Sequence, residues 1–137
     1  MSRDVDASIR EFLACSRFAV VGASNHPAKF GGKVLAAYLR HGLVAHPVNP
    51  NEEKVLGRRS YPTLRDLPEP VEAVSIVTPP EVTERIVEDA AAAGVRRVWM
   101  QPGAESSRAI ARAQELGLDV IAGGPCLLVE IAARPGR

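Results

Sequence analysis

The sequence predicts an α/β fold in three layers, a five-stranded and mainly parallel sheet with helices on both faces. Two observations carry most of this. At Gly42, Gly94 and Gly117 a stretch of helical period ends on a glycine and an apolar run follows at once. A glycine just past a helix accepts the left-handed backbone that stops it. The runs themselves, such as Phe18-Ala19-Val20-Val21, are apolar throughout rather than alternating, as parallel strands buried on both sides are. Strands and helices in this alternation imply crossover connections and a parallel sheet.

The elements follow in order. Residues 4–15 place Val5, Ile9, Phe12 and Leu13 at the i, i+4, i+7 and i+8 spacing of an amphipathic helix. Residues 18–21 form the first strand, and a helix over 31–41 puts Val34, Leu35, Tyr38 and Leu39 on one face. The second strand, 43–48, is closed by Pro47 and Pro50. Residues 51–70, rich in charge and proline, read as a connection with a short extended piece near 58–61 and one helical turn near Leu64. Residues 71–77 are the third strand. Pro79-Pro80 then opens a helix running to Ala93, because proline suits a first helical turn, with Glu81 and Glu84 near its positive end. Residues 95–100 are the fourth strand, with Trp99 in the core, followed by a helix over 104–116 and a fifth strand over 118–122. With no long linker, residues 1–137 read as one domain with the first helix packed upon it.

Composition excludes several classes. A formal net charge of +1 argues against nucleic acid, whose phosphates call for a basic excess or patch, and 4% aromatic residues leave little for base stacking. No apolar run approaches the roughly 18 residues of a membrane helix, and Asp4, Asp6, Arg10 and Glu11 do not make a secretion signal. Cys15 and Cys126 stand far apart without metal-type spacing, as reduced thiols of a cytoplasmic protein do. His26, His41 and His46 form no metal-ligand pattern, and no Ser–His–Asp set or carboxylate pair is legible.

In an open parallel sheet ligands bind beyond the carboxyl ends of the strands, where strand order reverses. The residues there are 22–32, 48–51, 78–80, 101–104 and 123–126. The first segment, from Gly22 through Ala23, Ser24 and Lys29 to Gly31 and Gly32, leads from a strand into a helix, the arrangement that offers backbone N–H groups and a positive helix end to phosphate. Its spacing is not G-x-G-x-x-G, and Ser24 and Lys29 are candidate phosphate donors within it. The alternative is that Gly22 and Gly31 only make a tight passage. Enzymes using NAD place an acid at the end of the second strand for the ribose hydroxyls. Here 44–51 has no carboxylate and the first is Glu52, so a nucleotide with a phosphorylated ribose is not repelled.

Five motifs in order, Val20-Val21-Gly22-Ala23-Ser24, Pro27-x-Lys29-x-Gly31, Pro47-Val48-Asn49-Pro50, Gly57 with Tyr61-Pro62-Thr63, and Gly124-Pro125-Cys126-Leu127, make the chain resemble the coenzyme A-binding domain. That domain is the N-terminal part of succinyl-CoA synthetase alpha subunits and ADP-forming acyl-CoA synthetases, and also a stand-alone protein. The resemblance implies a Rossmann-like fold with the CoA phosphates on the 22–31 loop. Gly22, Ala23, Ser24, Lys29 and Gly31 match the phosphate loop, Pro47 and Asn49 the wall after the second strand, and Val77, Thr78 and Pro79 the edge where the nucleotide lies.

In the synthetases a histidine of a further domain carries phosphate. This sequence has no histidine after His46, so binding of CoA or acyl-CoA without catalysis is expected of the chain alone, with an acyl-CoA-metabolising protein as a possible partner. An NAD(P)-binding oxidoreductase and a detached subunit of an acyl-CoA ligase are the alternatives. Cys126 is either a small packed residue or a thiol meeting that of CoA. Arg58 and Arg59 are either a solvated turn or a reach toward the ribose 3′-phosphate.

Overall fold

The computed structural model describes residues 4–134. In chain order the elements are α1 (Val5–Leu13), β1 (Arg17–Val21), α2 (Phe30–Arg40), β2 (Val44–Val48), β3 (Lys54–Val55), β4 (Arg58–Arg59), a single 3-10 turn (Leu64–Asp66), β5 (Ala73–Ile76), α3 (Pro80–Ala92), β6 (Arg97–Met100), α4 (Ser107–Glu115), β7 (Asp119–Ile121) and α5 (Leu127–Ala132). Five strands form one sheet in the order β2-β1-β5-β6-β7, and every pairing in it is parallel. The chain steps from β1 outward to β2, then returns to the other side of β1 as β5. The reversal therefore falls between β1 and β5.

Side chains alternate across the sheet. Phe18 and Val20 face one layer, with Ile9, Phe12 and Leu13 of α1, Val34, Leu35 and Tyr38 of α2, and Leu127 and Ile131 of α5. Aromatic rings join there: Phe12 meets Trp99 edge-on at 5.2 Å and Phe18 stacks on Tyr38 at 4.8 Å between centroids. Ala19 and Val21 face the other layer, with Val87 and Ala90 of α3 and Ala109 and Ala113 of α4. The expected glycine stops, Gly42, Gly94 and Gly117, all have positive φ. Trp99 is fully buried as expected, its indole N–H donating to the Pro125 carbonyl at 3.0 Å. Among the described residues no helix is long and apolar enough to cross a membrane.

Three features differ from the sequence reading. Val5 is 49% exposed rather than part of the helix stripe, and Ser8 is buried instead, its hydroxyl donating to Asp119 at 3.3 Å. The first turn of α1 lies beside β7, the edge strand of the sheet. The extended piece at 58–61 is one strand of a hairpin with Lys54–Val55, and Tyr61 continues beside Val48 of β2. Finally, Leu127–Ala132 is a helix. At the amino ends of the strands Arg97 bonds Glu11 at 3.0 Å and Asp119 at 2.7 Å, tying α1 to β6 and β7.

Candidate functional site

The parallel ladder runs one residue past the strands at the reversal point. Gly22 N–H donates to Val48 O (3.0 Å), Val77 N–H to Val21 O (2.8 Å) and Gln101 N–H to Ile76 O (3.0 Å). Given the registers Val21↔Ile76 and Ile76↔Met100, Gly22, Val77 and Gln101 form one row across the carboxyl edge. Glycine is required in this row and above it. A Cβ on Gly22, at φ +93°, would stand 2.3 Å from Val77 O, and one on Gly31 would stand 2.0 Å from Gly22 O. Backbone thus packs on backbone, and the first turn of α2 is drawn against the end of β1. The tight passage and the presentation of the helix end are the same geometry.

That helix end is left open. Lys29 occupies the N-cap with an extended backbone and gives no side-chain cap, and the first turn contains no acid. The four leading N–H groups of a helix have no intrahelical partner of the usual kind, so an uncapped end attracts anions. The Lys29 side chain is exposed and makes no ion pair among the described residues. Within the loop Ser24 Oγ accepts from His26 N–H at 3.0 Å and His26 Nδ1 from Ala28 N–H at 3.2 Å.

Two asparagines hold this loop to the rest of the molecule. Asn49 follows β2, and its Nδ2 donates to Ala23 O at 2.8 Å while its Oδ1 accepts from Asn51 N–H at 2.8 Å. Asn25 donates to Lys54 O at 2.7 Å and to the Glu52 carboxylate at 3.2 Å, and accepts from Leu56 N–H at 2.9 Å. Pro47 is buried within β2, and its carbonyl accepts from Tyr61 N–H at 3.1 Å. Thr78 bonds the Thr83 hydroxyl at 2.8 Å, and Pro79 stands exposed at the N-cap of α3. All ten residues singled out from the sequence therefore lie along the carboxyl edge of β1, β2 and β5.

Asn25 and Gln101 fall within the 22–32 and 101–104 segments expected at the ligand edge, but the sequence alone assigned neither a role. Gln101 is fully buried; its Oε1 accepts from Leu127 N–H at 2.9 Å, while Nε2 has no partner among the described residues. A polar residue directly after the apolar run Val98-Trp99-Met100 was the available signal. Cys126, half-buried, precedes α5 beside that bond, and Cys15 lies at the end of α1; they form no disulfide. The histidines are dispersed, with His41 on Ala37 O and His46 on Glu69. No group of three metal-ligating side chains occurs among the described residues. Burial pushes the Tyr38 hydroxyl far up, in the core against Ser75. The His46 hydrogen bond lowers Glu69 and that of Arg112 lowers Glu88, both outside the 22–31 loop.

Residues 16–132 match the family described as the CoA binding domain. An ADP-forming acetate–CoA ligase II of Archaeoglobus fulgidus is 28% identical over 90 residues, which are 64% of this chain and 13% of the ligase. The chain thus corresponds to a small part of that relative. Uncharacterized protein YneT of Bacillus subtilis is 29% identical over 88% of this chain and 90% of its own length. A solved structure of a hypothetical protein from Pyrococcus horikoshii superposes with a TM-score of 0.89 at 32% identity, covering 96% of this chain and 92% of that one.

Proposed function

The chain belongs to the CoA-binding domain family, and on that premise we propose that it binds coenzyme A or an acyl-CoA, with the diphosphate seated on residues 22–31. The observation that carries this reading is the open N-terminus of α2, uncapped, free of acids in its first turn and flanked by Lys29. Gly22, Ala23, Ser24 and Gly31 supply the backbone cradle, and Asn49 positions it through Ala23 O. Val77, Thr78 and Pro79 form the edge along which the nucleotide runs. An NAD-type ligand is disfavoured because Asn49, not a carboxylate, follows β2, and the first acid beyond it, Glu52, is engaged by Asn25. The chain acts by binding, without catalysis of its own, and serves a protein that makes or uses acyl-CoA. The short match to a much longer ligase supports that partnership.

Thermal unfolding with added ligand tests the reading. A ligand at a hundredfold excess over its Kd stabilises the folded state by about 2.7 kcal/mol, which for a domain of this size raises the melting point by about 2–8 °C. CoA is expected to give this shift and NAD at equal concentration a much smaller one. An equal or larger shift with NAD overturns the assignment.

A further inference from the structure

The row Gly22, Val77 and Gln101 leads to a cysteine that the sheet holds from both sides. Trp99 and Gln101 leave the same face of β6, and both are fully buried. The Trp99 indole N–H donates to Pro125 O at 3.0 Å, and Gln101 Oε1 accepts from Leu127 N–H at 2.9 Å. Cys126 lies between these two anchored residues, half-buried, with an extended backbone at the N-cap of α5. It is thereby fixed to the end of β6, although it follows β7 in sequence. The chain reaches it through Gly123 and Gly124, at φ +87° and +137°. A Cβ on either, or on Gly103 after β6, would meet no atom within 4 Å, so the backbone leading to the cysteine is not packed over.

The Gln101 amide is only half used. Its Nε2 is buried and has no partner among the described residues, and a buried donor without an acceptor is costly. Its other end is bonded to the residue that follows Cys126, so this N–H group adjoins the cysteine. An arm bearing amide carbonyls, as pantetheine does, supplies the acceptor it lacks. The proposed diphosphate seat at Gly22 is two strands away across β5, about 10 Å at ordinary strand spacing. An extended pantetheine arm is longer than that, and its path along the edge at Val77 ends here. Cys15 stands at the other end of the sheet, before β1, with its thiol donating to Glu11 O at 3.4 Å.

We propose that Cys126 is a thiol-exchange site that takes CoA from a CoA disulfide. The inference rests on the CoA reading above and adds to it a covalent, redox-dependent way of holding the same ligand. The Cys126 thiolate attacks one sulfur of the bound disulfide. A bond forms between Cys126 Sγ and that sulfur as the original S–S bond breaks. The second CoA leaves as a thiolate and takes up the proton that Cys126 gave up. One disulfide is consumed and one is formed, so no further oxidant or reductant enters.

The test incubates the reduced full chain with CoA disulfide or, at equal concentration, with glutathione disulfide, and follows intact mass and peptide maps. One CoA is expected on Cys126, formed roughly tenfold faster or more than the glutathione adduct, because binding raises the local concentration of the reacting sulfur. The Cys15→Ser variant should behave as the wild type. Desulfo-CoA, which lacks the thiol, should slow the CoA reaction and leave the glutathione reaction unchanged. CoA on Cys15, or on neither cysteine, overturns the exchange site, and so do equal rates with the two disulfides. Calorimetric titration with desulfo-CoA separates this failure from failure of the CoA reading. Binding without an adduct on Cys126 leaves that reading standing, whereas no binding together with equal rates overturns both.

Discussion

Two strand-to-helix turns on the same sheet edge are finished in opposite ways. After β6, the chain reaches α4 through a turn that satisfies itself: Glu105 accepts from Gly103 N–H at 2.9 Å and Ser106 Oγ caps Ala109 N–H at 3.0 Å. The Ser106 hydroxyl in turn donates to Glu84 at 3.0 Å, binding α4 to α3. After β1, the turn into α2 spends its polar side chains on holding the loop in place, through Ser24, Asn25 and His26, and leaves the helix end with no side-chain cap. A capped end has little to offer an anion, whereas an uncapped end with a neighbouring lysine keeps its donors for a ligand. Position on the sheet edge is therefore not enough to make a site. The residues that fill the turn decide whether its helix end is capped from within or left open, and the proposed site rests on the open one.

The sharpest way to break the contrast is Gly31→Ala. Its Cβ would lie 2.0 Å from Gly22 O, a clash of backbone with backbone that no rotamer relieves. A loss of about 3 kcal/mol is expected, read as a lower urea midpoint, together with loss of CoA binding. Near wild-type stability would mean that the close approach of α2 to β1 is not what shapes this turn.

Lys29→Ala should act on binding alone. Removal of one charge-assisted phosphate contact is expected to weaken CoA by about 1.5–3 kcal/mol, roughly ten- to hundredfold, while the ligand-free protein melts as before because the side chain is exposed and unpaired. Unchanged CoA affinity in a titration would remove Lys29 from the phosphate site.

Ser106→Ala is the mirror experiment in the other turn. Loss of the cap should cost about 1 kcal/mol of stability, lowering the melting point by a few degrees, with CoA affinity unaltered. A fall in affinity as large as that of the Lys29 variant would erase the distinction between the two turns.

The smallest effect concerns pH. Glu69, hydrogen-bonded to His46 with Arg17 adjoining, and Glu88, hydrogen-bonded to Arg112, are both held below the ordinary glutamate value. A carboxyl with a depressed folded-state value contributes stability above its unfolded value, near pH 4.3, and that contribution disappears as pH falls through the folded value. The wild type should therefore lose melting temperature on acidification from about pH 5 downward more steeply than Glu69→Gln combined with Glu88→Gln. The Arg112–Glu88 pair is solvent-exposed and the His46–Glu69 pair half-buried, so added salt should shrink mainly the part of the difference that comes from Glu88. Identical acid-side slopes would show that these pairs contribute nothing measurable. Since neither lies in the β1–α2 loop, the double variant should still bind CoA at neutral pH.

What the sequence determined by itself was local. The apolar runs located all five strands of the parallel sheet, Gly42, Gly94 and Gly117 marked where helices stop, and Pro80 and Glu81 marked where α3 begins. Each of these depends on backbone preference or burial within a few residues, which composition and spacing express directly. The 22–31 loop was legible for the same reason, as glycine, serine and lysine between a strand and a helix.

Only the tertiary structure decided the rest. Asn49 joins Ala23 across 26 residues, Asn25 joins Lys54 across 29, and Gln101 joins Leu127 across 26. Val5 fits the helix stripe by spacing yet stays half exposed, beside β7 at the edge of the sheet. The two asparagine contacts follow from the strand order β2-β1-β5-β6-β7, which carries the end of β2 to the side of the β1 loop. An asparagine has the same local propensities whether or not a carbonyl 26 residues away is brought within 2.8 Å of its amide, so its role appears only once the sheet is assembled.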